Sequence, residues 1–368
     1  MKTFHLVLKS SMKYNPIKTE HESMMKRYGV PYKGSKNQIA EWVCSHFPKA
    51  TNFYDLFAGG CAITHCAMKK NIFQNYHAND IADSHFLFMD AVHGKFQNET
   101  RWISREDFYR LKDSEPYIRY CWSFGNNGEN YLYSKEVEPW KKALHYARVF
   151  NDFSLLEAFG IKTDKADRIT IAKNADEWKK KYIEWAIKFF AFTDEEIEKY
   201  NQYKKEGVFE NLIHGSAGLV QLKKRLRRLE SLQSLQRLER LQSLERLERL
   251  ESLERLERLE RLERLSVSNK SYDEVEILPD SVLYCDIPYY DTDEYAEGGF
   301  DHQKFYKWAL QQKELVIISE YNMPDDFICI DAIEKSVLLN SGASKKALEK
   351  LFIPKHQREL YKNLMKRR

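Results

Sequence analysis

The apolar run Ser281-Val282-Leu283-Tyr284-Cys285 ends in Asp286-Ile287-Pro288-Tyr289-Tyr290. A strand that stops in this way brings four things to one place: the Asp286 carboxylate, the Ile287 carbonyl, a turn held by Pro288 and the aromatic face of Tyr289. Two acceptors beside a stacking surface suit an amino group carried on a planar ring. A second constellation stands far upstream, Asp55-Leu56-Phe57-Ala58-Gly59-Gly60, ahead of the helical-looking segment Ala62 to Lys70. A strand, a glycine turn and a helix admit a nucleotide-like ligand at the carboxyl end of a strand, because glycine lets the backbone approach closely. The spacing is not G-x-G-x-x-G, and a simple tight turn fits these residues equally well when they are taken alone. His77-Ala78-Asn79-Asp80 then places a carboxylate about twenty residues beyond the glycines, where an acid can accept both hydroxyls of a ribose. An Asp ending a strand is also a common helix cap.

Such residues need strands to carry them. Phe53 to Phe57, Tyr76 to Asp80, Leu265 to Asn269, Val282 to Cys285 and Leu315 to Ser319 are short β-prone runs, several of them followed by helical patterns. They predict an α/β sheet domain that is entered before a long insertion and completed after it. From about residue 100 to 221 the composition changes, with Trp102, Phe108, Tyr109, Tyr117, Tyr120, Trp122, Phe124, Tyr131, Tyr133 and Trp140 interleaved with Arg and Lys. This segment reads as a mostly helical second domain. From Leu226 to Leu265 a leucine then recurs at every third position. Strong helix formers and Glu-to-Arg pairs four apart, such as Glu245 with Arg249, predict a long helix. A step of three turns about 300° on an α-helix, so the leucine stripe circles the surface and is no coiled-coil seam. A 3₁₀-like or stacked solenoid packing is the alternative. The basic cluster Lys223 to Arg228 can touch phosphates or serve as a solvated helix end. These shifts set boundaries at 24–95 (first part of the core), 96–221 (inserted domain), 222–264 (leucine repeat) and 265–357 (second part of the core).

Composition sets the outer limits. The chain has 368 residues, of which 43% are hydrophobic, enough for a core beyond that of a minimal domain. A net charge of +4 argues against binding nucleic acid through bulk charge and for a localised basic surface. The cysteines Cys44, Cys61, Cys66, Cys121, Cys285 and Cys329 form no CxxC pair and no zinc-type spacing, so neither a metal site nor a disulfide framework is indicated and a reducing cytoplasm is expected. The apolar run Phe4 to Leu8 is too short for a signal segment, and no apolar stretch has membrane-spanning length. A soluble protein is expected.

Asp286-Ile287-Pro288-Tyr289 resembles the Asp-Pro-Pro-Tyr motif of the amino-methyltransferases, which methylate exocyclic NH₂ groups of adenine or cytosine in DNA. With Tyr32-Lys33-Gly34-Ser35-Lys36 it resembles the adenine-specific class typified by bacterial and phage DNA adenine methyltransferases. The resemblance runs over 26–90 and 265–353. It implies a Rossmann-like methyltransferase sheet with an inserted, mostly helical target-recognition domain, S-adenosylmethionine as cofactor and double-stranded DNA as partner. The implied activity is site-specific methylation of adenine N6, for restriction protection or regulation, in the cytoplasm of a bacterial or phage-infected cell. The residue types suit that chemistry. An exocyclic amine is a poor nucleophile because its lone pair is delocalised into the ring; acceptors on its two hydrogens, from Asp286 and the Ile287 carbonyl, draw the pair back. Pro288 holds the turn and Tyr289 stacks the extruded base, so that transfer is a direct in-line displacement.

The resemblance also assigns individual positions. Tyr32 stands where the family has an aromatic, often Trp, and Lys36 where it has a cofactor-contacting lysine. Phe57 and Gly59 lie in the loop around the methionine part of the cofactor, and Asp80 takes the ribose-binding place. Asp286 sits where cofactor amine and target base converge. Ile287 replaces the first Pro of the motif, its second residue, and Ser271 replaces an acid that contacts the cofactor adenine. Recognition falls to the aromatic middle, where Ser123-Phe124-Gly125-Asn126-Asn127-Gly128 suits a wedge or a reader of base edges, or else a plain surface turn. The repeat allows self-association. The same catalytic turn would serve cytosine N4, RNA or a protein amide. A catalytically silent DNA-binding or assembly protein is the reading from a different class.

Overall fold

The computed structural model describes residues 28–166, 168, 175–206, 263–289, 299–338 and 344–367. Tyr290, the Lys223 to Arg228 cluster, the Glu245–Arg249 pair and the repeat up to position 262 lie outside them. The strands are β1 (Asn52–Asp55), β2 (Asn75–Asn79), β3 (Leu265–Ser268), β4 (Ser281–Asp286), β5 (Leu315–Glu320), β6 (Phe327–Leu338) and β7 (Ser344–Pro354). The helices beside them are α1 (Ala40–Ser45), α2 (Ala62–Lys69), α3 (Ser84–Val92), α4 (Arg105–Leu111) and α5 (Pro116–Cys121). In chain order there follow α6 (Glu138–Val149), α7 (Ser154–Ala158), α8 (Ala175–Phe189), α9 (Asp194–Glu206), α10 (His302–Gln311) and α11 (Arg358–Met365).

Among the described residues the strands form one sheet in the order β3-β2-β1-β4-β5-β7-β6. The first five are parallel, and β7 runs antiparallel to both β5 and β6. This is the Rossmann-like sheet expected of a methyltransferase. β1 lies between β2 and β4, so the connections leave it in opposite directions and open a crevice beyond the carboxyl ends of the strands. Register brings Asp55 opposite Tyr284, and Asp286 opposite Ser319.

A parallel sheet is covered on both faces, which is why β4 and β5 are near-continuous apolar runs. On one face Leu283, Cys285, Val316 and Ile318 pack with Phe305 and Ala309 of α10. On the other, Phe53 stacks on Phe73 with ring centroids 4.9 Å apart, and Phe47 meets both Phe53 and Tyr284. Phe305 is fully buried, and cutting such a ring back to alanine costs about 3–5 kcal/mol. Caps start the helices: Ser104 Oγ accepts from Asp107 N at 3.1 Å ahead of α4, and the Asp301 carboxylate accepts from Lys304 N at 2.9 Å ahead of α10.

Each expected strand forms within two residues of its predicted limits. The β6–β7 hairpin was not foreseen, because the pairing is interrupted by a register shift between Cys329 and Asp331 and several of its residues carry charge on the exposed side. Arg264, the last arginine of the triplet repeat, leads into β3; its guanidinium donates to Asn71 Oδ1 at 3.1 Å and to the carbonyls of Phe73 and Gln74.

By compactness, the described residues of Arg27–Leu132 and Glu245–Arg368 form one unit and those of Tyr133–Leu244 another. The division falls after Leu132, whereas the inserted domain was expected to begin at residue 96. Residues 96–132 stay with the sheet because they are tied to it: Arg119 and Tyr120 of α5 donate to the Asp83 carboxylate at 3.1 and 2.6 Å. The second unit is helical and has its own core, in which Trp140 and Trp185 are fully buried among Leu144, Leu156 and Tyr182. No helix among the described residues is long and apolar enough to cross a membrane.

Candidate active site

The glycine turn is held from two directions. Ala58 N donates to the carbonyl of Asn79 at 2.9 Å, and Gly59 N donates to Asp80 Oδ2 at 2.7 Å, so the end of β2 fixes the turn that follows β1. The other Asp80 oxygen accepts from Ala82 N at 2.8 Å. Burial pushes the Asp80 carboxyl up, and the backbone donors of Ala82 and Gly59 hold it back. From above, Val30 N donates to Gly60 O at 2.8 Å and Gly29 N to His65 Nδ1 at 2.9 Å. Burial takes the His65 pKa down to about 3, which keeps the imidazole neutral and Nδ1 free to accept. The Tyr32 ring then lies on Gly59. A Cβ at Gly59 would come within 2.8 Å of that ring, and one at Gly60 within 2.6 Å of Val30 O. The two glycines are required by this close overlay.

Asp55 ends β1 beneath the turn. Its Oδ2 accepts from Thr64 Oγ1 at 2.7 Å, while Oδ1 is buried and has no hydrogen-bond partner among the described residues. Burial, opposed by the Thr64 hydroxyl and reinforced by the nearby carboxylates of Asp286 and Asp80, raises its pKa to about 7.

At the end of β4, Asp286 Oδ1 meets Lys36 Nζ at 2.6 Å. The same ammonium donates to Tyr289 Oη at 2.5 Å and lies 3.7 Å from Glu349 Oε1. Tyr289 Oη in turn donates to Glu349 Oε1 at 2.6 Å, which also accepts from Ser319 Oγ at 2.8 Å. Burial opposes the charge on Lys36, but the carboxylates of Asp286 and Glu349 outweigh it and hold the ammonium above its usual range. Burial, with Asp286 and Glu349 beside it, also pushes the Tyr289 phenol far up, so it stays protonated. Ile287, in the place of the missing proline, is 2% exposed and packs into the core cluster with Phe305. A buried apolar side chain thus anchors the turn that a ring would otherwise stiffen. His302 Nε2 donates to Pro288 O at 2.7 Å and ties the turn to α10.

These groups surround one cavity of about 560 Å³. Tyr32, Lys36, Phe57, Gly59, Asp80, Asp286, Ile287, Pro288 and Tyr289, all singled out from the sequence, line it, whereas Ser271 does not. Asp55 and Ile81 line it as well. Phe57 is stacked on Tyr272 at 5.5 Å between centroids. Ser271 caps the short turn Tyr272–Glu274, and the neighbouring acid Asp273 is paired with Lys304 at 2.6 Å. Two groups escaped the sequence. Asp55 was read only as the acid at the end of the strand before the glycines and was given no role of its own. Glu349 sits in a charged run, and only the alternation Glu349-Leu351-Ile353 hints that it faces inward.

Beyond α5, Ser123–Gly128 forms the expected turn, exposed at Phe124 and Gly125, while Ser123 and Gly128 at its ends are buried and joined by Gly128 N donating to Ser123 Oγ at 2.9 Å. Gly125 and Asn126 have φ of 60° and 57°, Phe124 is 61% exposed, and Phe124 N donates to Asn130 O at 2.7 Å. The turn is linked to the cavity through Tyr120, whose ring lies 5.6 Å from that of Tyr32.

Residues 32–209 match the model of a family described as D12 class N6 adenine-specific DNA methyltransferase. No curated protein matches the chain. The matched span contains the glycine turn, Asp80 and the aromatic middle. It ends before β3, so the Asp286 turn is connected to it through the sheet.

Proposed function

We propose, from the match of residues 32–209 to the D12 class of N6 adenine-specific DNA methyltransferases, that this chain methylates adenine through the Asp286 turn, with S-adenosylmethionine held in the neighbouring cavity. The residues present fit that cofactor. The glycine turn leaves no room for side chains, and the unpartnered, buried Asp55 Oδ1 is an acceptor waiting for a cationic donor at the cavity wall. S-adenosylmethionine carries an ammonium and a sulfonium, and supplies an electrophilic methyl group. Asp55 and Asp286 would hold the cationic end, Phe57 and Gly59 its surroundings, Tyr32 and Lys36 the side facing the N-terminal segment, and Asp80 the ribose.

The target amine is handled by the turn after β4. Asp286 accepts one of its hydrogens and the Ile287 carbonyl the other, concentrating the lone pair on nitrogen. Tyr289 supports the extruded base by stacking, and Pro288, fixed by His302, keeps the two acceptors in register. The segment 96–221 recognises double-stranded DNA, with Phe124 at the tip of the exposed turn entering the duplex. The arrangement of Asp55 and Asp286 at adjacent strand ends, opening on one cavity with Tyr289, carries this reading.

Its test is incubation of the full chain with unmethylated genomic DNA and isotopically labelled S-adenosylmethionine, followed by nucleoside mass spectrometry. Labelled N6-methyladenosine is expected from the wild type and none from Asp286→Ala. Equal product from both would overturn the role of the turn, and a different methylated nucleoside would overturn the substrate.

A further inference from the structure

Glu349 is the third charged member of the cluster around the Asp286 turn, and neither the motifs nor the chemistry above uses it. It comes from β7, beyond the family match, and its side chain is fully buried. Its position is set by the hairpin: β7 pairs with β5 so that Ser319 stands opposite Leu351, and Ser319 Oγ reaches back to Glu349 Oε1. A buried carboxyl on an otherwise apolar strand face is expensive unless it is hydrogen-bonded and paired. Here the same oxygen accepts the Tyr289 hydroxyl at 2.6 Å and lies 3.7 Å from the Lys36 ammonium.

Two consequences follow. The Tyr289 hydroxyl is held by Lys36 on one side and Glu349 on the other, so the ring assigned to base stacking is held at its far end. Lys36, in turn, faces two carboxyl groups. In the arrangement described it leans on Asp286 at 2.6 Å, on the group that has to accept the target amine. A lysine with a single buried counterion would stay there; one with a second carboxyl within 3.7 Å can shift its charge and still be compensated.

We infer that Glu349 is a positioning residue for the methyl transfer: it orients Tyr289 through its hydroxyl and gives Lys36 a second anion, so that Asp286 is released to the target amine. This rests on the assignment of Asp286 and Tyr289 made above.

The test uses the full chain and compares wild type, Glu349→Gln, Tyr289→Phe, the double variant and Asp286→Ala on duplex DNA. Steady-state kinetics is read beside thermal unfolding with and without S-adenosylmethionine. Glu349→Gln should keep the cofactor-induced rise in Tm and the KM for cofactor, and lose about tenfold to a hundredfold in kcat, the scale of a misplaced reacting group. Tyr289→Phe, which removes the hydroxyl and leaves the carboxyl, should also lose kcat. The double variant should fall short of the product of the two losses, because both break one linkage. Wild-type kcat in a folded Glu349→Gln, or losses that multiply in full, overturns the inference. Should Glu349→Gln not fold, Tyr289→Phe decides alone, an unchanged kcat overturning the inference and a loss supporting it. Inactive Asp286→Ala alongside a wild-type Glu349→Gln leaves the proposed function standing; active Asp286→Ala removes it whatever Glu349 does.

Discussion

Asp55→Asn should make the cofactor-free protein more stable at pH 8 while weakening its cofactor affinity. The Asp55 carboxyl is 1% exposed, and its pKa is raised from 3.8 to about 7, first of all by burial. An acid whose folded pKa lies above its unfolded one binds protons more tightly when folded. Its contribution is therefore complete below the unfolded value and is lost as pH rises towards the folded one. A shift of about three units corresponds to about 4 kcal/mol lost by pH 8, and about two fifths of that is already lost at pH 5. Asparagine keeps the shape, accepts from Thr64 through its oxygen and does not titrate. Its NH₂ takes the place of the unpartnered Oδ1 and costs about 1–3 kcal/mol. The net expectation is a gain of about 1–3 kcal/mol over wild type at pH 8, shrinking to nothing or reversing at pH 5. Urea unfolding of both proteins at the two pH values measures it. Adding S-adenosylmethionine should then stabilise the wild type more than the variant, because a cation at Oδ1 favours the ionised acid. Parallel stability curves for the two proteins between pH 5 and 8 would refute the reasoning, since they would mean that Asp55 is not held protonated by the fold.

Gly60→Ala places a methyl 2.6 Å from Val30 O and 2.9 Å from Tyr32 Cβ, so the N-terminal overlay has to lift; a loss of about 1–3 kcal/mol in urea unfolding and a weaker cofactor-induced rise in Tm are expected. Phe124→Ala removes an exposed ring without touching the core, and should weaken duplex binding in a fluorescence anisotropy titration while leaving cofactor binding unchanged. In the helical unit, burial lowers the pKa of Lys141 from 10.5 to about 7. A base shifted in this direction destabilises the fold below its folded pKa and ceases to do so above its unfolded one, so Lys141→Met should stabilise at pH 7 and lose that advantage by pH 10. The ceiling is about 4 kcal/mol, less about 1 kcal/mol for the hydrogen bond to Tyr182 Oη, and denaturant unfolding at both pH values reads it.

Local patterns carried the sheet and much of the site. The run Ser281 to Cys285 is apolar at nearly every position because β4 is covered on both faces, and Gly59-Gly60 mark a turn on which another segment lies. The β6–β7 hairpin was hidden because its residues carry no uninterrupted alternation: Lys345-Lys346-Ala347-Leu348-Glu349-Lys350 reads as solvated, yet Glu349 is buried. The same limit applies to Lys36. The family resemblance implied a cofactor contact for it, while the structure brings its ammonium to Asp286 and to Tyr289, 253 residues away.

The sequence by itself determined where the strands lie, where the backbone has to turn on glycine, and that a carboxylate, a carbonyl and an aromatic face stand together after one strand. These are properties of residue type and short-range period, which no distant contact has to supply. Only the tertiary structure decided that Asp55 and Asp286 end adjacent strands, that Asp80 clamps the glycine turn, and that one ammonium is shared by two carboxyl groups. Charge and protonation depend on burial and on separations of a few ångströms, and those are fixed by strand order and packing among residues hundreds of positions apart.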